Sequence, residues 1–125
     1  MMKYGVLAAT LVVGMMASGG SALADGDAAK GKTVFKKCAI CHDVREGKNK
    51  IGPSLFGVFG TKAGEVKGFR FSPAMKKSGL TWDEATLDKY LENPRKTVKG
   101  TRMVFAGLRS KKDRDDVIAY MKTLK

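Results

Sequence analysis

Cys38-Ala39-Ile40-Cys41-His42 holds the only two cysteines and the only histidine of a 125-residue chain. In the pattern C-x-x-C-H, two thiols add to haem vinyl groups as thioethers and the imidazole that follows binds the iron from one side. Other chemistries fit less well. A structural zinc site takes four Cys or His ligands, and only three exist here. A thioredoxin-like redox pair needs a strand–helix–strand setting that the pattern lacks. A plain disulfide leaves the histidine without a role. The motif predicts one haem c, covalently bound through Cys38 and Cys41, with His42 as an axial ligand.

Iron has a second axial position, and no other histidine can fill it. Methionine is the usual partner in electron carriers. Past the leader described below, the chain offers Met75, Met103 and Met121. Met121 falls in the apolar stripe of a helix and Met75 inside a short helix, so both read as packing. Met103 differs. It follows residues 93–102, which read as a polar loop that starts at a helix-stopping proline and contains Gly100. Such a loop can carry one thioether to the open face, which makes Met103 the candidate second ligand. Two filled positions leave one-electron exchange as the chemistry. An open sixth position would instead suit a peroxidase or gas sensor, and an unhaemed C-x-x-C pair a thiol oxidoreductase.

The rest of the chain must hold these groups. Residues 1–24 read as a secretory signal: Lys3, then an apolar run from Gly5 to Met16, then small residues ending in Ala22-Leu23-Ala24, with cleavage expected after Ala24. The run is shorter than the ~20 residues of a membrane-spanning helix, although an uncleaved anchor is the competing reading. Residues 25–125 then form a single domain, exported to the periplasm. Lys3 is the only charged residue of the leader, so a net charge of +12 becomes +11 without it. That field predicts acidic partners. Nucleic acid is disfavoured by export and by the lack of aromatics interleaved with the cations.

No strand-like alternation is sustained, and four helices are expected, so the class is all-α with long glycine-containing loops. The first is capped by Asp27 and runs to about Lys37, with Gly31, Val34 and Phe35 on one face. Glycine within a helix costs about 1 kcal/mol relative to alanine, so Gly31 predicts close approach by another helix. The last starts near Ser110 and carries a stripe of Val117, Tyr120, Met121 and Leu124. This stripe is expected to cross the first helix at Gly31. Between them, Ser72-Pro73 opens a short helix closed at Gly79. Thr81-Trp82-Asp83-Glu84 reads as a capping box before Leu87, Tyr90 and Leu91, and Pro94 ends that helix. Helices and loops around so small a core imply that the cofactor supplies much of the buried apolar body.

The ordered matches Gly31, Phe35, the C-A-I-C-H motif, Gly52-Pro53, Trp82, Tyr90 to Pro94, residues 99–107 and residues 118–120 resemble a class I cytochrome c. The likeness is to bacterial cytochromes c2 and mitochondrial-type cytochrome c, and it covers essentially all of residues 25–125. It implies the cytochrome c fold, with terminal helices crossing. It implies that Pro53 orients His42 through its carbonyl, that Trp82 and Thr101 hold a haem propionate, that Tyr90 hydrogen-bonds near the methionine sulfur, and that Phe105 covers the haem edge. Lys32, Lys36, Lys37, Lys48, Lys50, Lys96, Lys99, Lys111 and Lys112 would ring that edge. A monomeric carrier docking on acidic surfaces of membrane redox complexes follows, with a bc1-type donor and an oxidase or photosynthetic reaction centre as acceptor.

The chain also departs from that family. Thr61 stands where an arginine near a propionate is common and Phe71 where a tyrosine is, which leaves Arg70 as a candidate substitute. Lys99 and Thr97 replace a frequent proline and aromatic in the loop before Met103. This loosening predicts that Lys96 or Lys99 displaces Met103 at moderately alkaline pH.

Overall fold

A computed structural model describes residues 26–125, together with the isolated Gly5 and Gly14. The expected leader and its cleavage point lie outside the described residues. The described residues form five α-helices: α1 (Ala28–Val34), α2 (Pro73–Lys77), α3 (Glu84–Glu92), α4 (Pro94–Thr97) and α5 (Lys111–Lys122). A 3-10 turn, Phe35–Lys37, extends α1 to the haem motif. Among the described residues there is no strand, only an isolated bridge between Lys62 and Thr81. The all-α expectation holds. No helix among them is long and apolar enough to cross a membrane.

The terminal helices form the frame. Asp27 caps α1 by accepting from the amides of Ala29 and Lys30, and Ser110 caps α5 by accepting from Asp113. Gly31 is buried where α1 meets α5, and a methyl there would sit on the backbone carbonyl of Asp116. Gly26 makes a second close approach, with the Asp115 carbonyl and the Ala119 side chain in the space its Cβ would need. Phe35 and Tyr120 lock the crossing edge to face, ring centres 5.2 Å apart. The buried face of α5 is broader than the expected stripe. Ile118 is its most buried residue, with Val117 next to it and Arg114 one turn earlier, while Leu124 lies beyond the helix and is half-buried. Arg114 donates to Asp88 and to the carbonyls of Leu108 and Arg109, so its buried guanidinium is satisfied.

Two expected features differ. The N-cap of α3 is Asp83, accepting from Thr86, because Thr81 is drawn into the bridge with Lys62. Residues 93–102 are not a wholly polar loop. Asn93 caps α4, Pro94 occupies its first position, and Pro94 and Val98 are buried. Proline stops one helix and starts the next, since the first turn needs no amide from it. The Thr97 hydroxyl then donates to the carbonyls of Lys89 and Asn93, tying α4 back onto α3.

Candidate haem site

A cavity of about 480 Å³ opens inside this frame, within the ~300–1,000 Å³ typical of cofactor pockets. Its walls come from the attachment motif, the loops and helices α2, α3 and α5. The attachment motif supplies one side, Val58 and Val66 the intervening loop, Met75 α2, Leu87 and Leu91 α3, and Val117 and Met121 α5. All nine residues singled out from the sequence line it: Cys38, Cys41, His42, Pro53, Trp82, Tyr90, Thr101, Met103 and Phe105.

The amides of Cys41 and His42 donate to the Cys38 carbonyl and wind the motif into a turn. Cys38 and Cys41 are half-buried and unbridged. Burial pushes the Cys38 thiol up, against a smaller lowering by Lys37. A redox-active C-x-x-C pair needs the opposite shift. The Nδ1 of His42 lies 2.7 Å from the carbonyl oxygen of Pro53. A carbonyl only accepts, so Nδ1 carries the proton and Nε2 is left with its lone pair for a metal. Burial holds the His42 pKa below the usual imidazole value, which favours that neutral form, although the Pro53 bond opposes it and Lys50 assists. The second loop is fixed to the motif by Gly52 N–H donating to the Cys41 carbonyl and by Lys50 Nζ donating to the Ala39 carbonyl.

Also in the cavity wall, the Tyr90 hydroxyl and Thr101 Oγ1 lie 2.9 Å apart and pair with each other. Thr101 Oγ1 also accepts, at 3.4 Å, from the amide of Met103. The Trp82 and Tyr90 rings pack at 5.0 Å. Desolvation raises the Tyr90 pKa, so this hydroxyl stays protonated and polar without charge. Met75 and Met121 line the cavity as well as Met103, and both are buried, in keeping with packing roles.

Sequence reasoning counted Gly52 toward the family resemblance but gave it no role. A Cβ there would lie 2.5 Å from Cε1 of His42, so the imidazole rests on bare backbone. Nothing in the local pattern marks this. Ile51 and Val104, which are 79% and 89% exposed, border the cavity as apolar rim residues. Of the nine lysines expected to ring the haem edge, two are held in ion pairs. Lys111 pairs with Asp115 and Asp88, and Lys112 with Asp116.

A helical shell around an apolar cavity, with neutral His42 beside two thiols on one wall, defines a c-type haem protein. Residues 28–125 match the cytochrome c family, and the chain belongs to it. It is 59% identical over 104 residues to cytochrome c2 of Rhodomicrobium vannielii, covering 82% of this chain and 83% of that protein. It is 50% identical over 101 residues to cytochrome c of Euglena viridis, covering 80% and 99%. Among solved structures it resembles cytochrome cH from Methylobacterium extorquens, with 54% identity, a TM-score of 0.75 and coverage of 78% and 99%. The chain is therefore an electron carrier of the cytochrome c and c2 type, not an enzyme, and Cys38 and Cys41 are its haem c attachment pair.

Proposed function

We propose that the mature chain is a soluble periplasmic carrier whose haem is held between His42 and Met103, and that it shuttles single electrons between membrane redox complexes. The observation that carries this reading is that His42 and Met103 border one apolar cavity. When bound, the haem supplies a ferric–ferrous couple, and a thioether ligand with a dry surround favours the ferrous form. The chain's own part is positional. Pro53 fixes the imidazole tautomer, Gly52 allows its approach, and the walls exclude water.

Ile51 and Val104 give the rim an apolar centre, Lys37 lines the cavity, and Lys32, Lys36, Lys48, Lys50, Lys96 and Lys99 are exposed and free to face a partner. Such a surface suits brief docking on acidic faces, where charge accelerates encounter and salt slows it. A bc1-type donor and an oxidase or reaction-centre acceptor are the partners of this chemistry. Optical spectra of the exported holoprotein test the ligation. A low-spin ferric form with a methionine–iron band, lost in Met103→Ala and kept in Met75→Leu, is expected. A high-spin ferric form would point to the open-site alternative. Stopped-flow oxidation rates that do not fall with ionic strength would overturn the docking.

A further inference from the structure

We propose that Arg70, which lines the cavity from the segment between Lys62 and α2, is the cationic anchor of a haem carboxylate. The proposal rests on the haem reading of the cavity. Haem carries its two carboxylates on the edge away from the vinyl carbons that the cysteines take. An ionised carboxylate held against apolar walls is costly unless a cation or hydrogen-bond donors meet it.

The cavity offers few cations. No Asp or Glu lines it, and its charged or titratable groups besides Arg70 and the two cysteines are Lys37, His42, Tyr90 and Arg102. Lys37 adjoins Cys38 in the chain and so belongs to the attachment edge, while Arg102 adjoins Met103 on the axial side. Arg70 alone comes from the segment between the bridge at Lys62 and α2. That segment lacks other means of meeting a carboxylate. Thr61 does not line the cavity, and its Oγ1 donates to the Val58 carbonyl at 2.7 Å. Phe71 has no polar atom.

Arg70 has no ion-pair partner among the described residues, and its base is well placed. The Phe69 and Phe71 rings on either side of it pack at 4.9 Å, and the Ser72 hydroxyl caps α2 two residues on. The indole N–H of Trp82, which also lines the cavity, bonds to no described residue and can add a second donor. A guanidinium fork offers two parallel N–H groups to a carboxylate, which an ammonium cannot.

The test is the midpoint potential of the holoprotein against pH. Ionisation of a carboxylate beside the iron favours the ferric form, so the potential declines through the carboxylate's titration. In Arg70→Gln that decline should start about one pH unit higher than in the native protein, a tenfold gain in proton affinity on losing the cation. Arg70→Lys should recover most of the shift, and Arg102→Gln should leave the profile in place. An Arg70→Gln profile that superimposes on the native one, with the low-spin spectrum intact, overturns the proposal. The ligation reading fails separately, through absence of the methionine–iron band in the native protein, and the pH profile can be read in either case.

Discussion

The imidazole of His42 lies against Gly52 so closely that a single methyl on Gly52 would come within 2.5 Å of Cε1 and 2.8 Å of Nδ1. The ring cannot swing away freely, because Nδ1 is tied to the Pro53 carbonyl one residue further on. Gly52→Ala should therefore tilt the ligand ring or break its outer hydrogen bond. Loss of an outer-shell contact typically weakens ligation by about tenfold or more. Protons would then compete with iron for the imidazole at higher pH. In an acid titration of the ferric holoprotein, the low-spin spectrum should be lost about one pH unit earlier in Gly52→Ala. Identical acid midpoints would mean that the backbone yields without disturbing the ligand.

Gly31 makes the matching prediction for the frame. Its missing side chain lets the α1 and α5 backbones touch, with the Asp116 carbonyl and Tyr120 Cβ in the space a methyl would need. The obstacle is largely backbone, which cannot rotate aside as a flexible side-chain tip can. Gly31→Ala would gain helix propensity worth about 1 kcal/mol, yet overpacking of this kind costs about 1–3 kcal/mol or more. A net loss of about 1–2 kcal/mol is expected from guanidinium unfolding of the holoprotein. A stabilised variant would show that the crossing can slide.

The same crossing carries a pH dependence. Asp116 is buried and accepts from the Asp27 amide and from Lys112 Nζ, both at 2.9 Å. The Asp27 bond, then Lys112, holds its carboxyl below the usual carboxylate range. A depressed folded-state pKa contributes stability above the unfolded value, near 4, that is lost as pH falls through the folded one. Asp116→Asn keeps an oxygen for the Asp27 amide but removes the titration. Calorimetric midpoints should fall less steeply for Asp116→Asn than for the native protein below about pH 4. Parallel curves would assign the acid sensitivity to other carboxylates.

What could be read in advance was whatever local chemistry determines. C-x-x-C-H declares its cofactor, Ser110 and Asp27 declare their helix starts, and a glycine inside a helix declares a crossing. The missed features depend on contacts from afar. Pro94 reads as a stop in isolation, and only the buried Val98 beyond it reveals that a second helix begins there. Thr81 is a good cap by type, but pairing with Lys62 removes it from that role. Ile118 has no mark that separates it from its neighbours, and only tertiary packing buries it completely. Lys111 and Lys112 resembled free surface charge because their acids lie four residues on, across a helical turn. Gly52 carries no local signal at all. Its importance comes from a ring ten residues earlier.

The segment before Met103 sets the last prediction. Sequence alone made it a loose loop with two equivalent lysines, Lys96 and Lys99. They are not equivalent. Lys96 sits within α4, whose end is held by the Thr97 hydroxyl on the Lys89 and Asn93 carbonyls. Lys99 lies after the buried Val98 and before Gly100, whose φ of 91° suits glycine and marks the turn. Beyond it, the Met103 amide donates to Thr101 Oγ1 over a long 3.4 Å. Movement of residues 99–103 can therefore withdraw Met103 and bring Lys99 inward without unwinding α4. As pH rises from 7 toward the free-lysine range near 10, the methionine–iron band should disappear while the protein stays folded. Lys99→Ala should raise the midpoint of that change more than Lys96→Ala does. A band that persists to the free-lysine range in the native protein would refute lysine displacement, and a larger effect of Lys96→Ala would place the opening within α4.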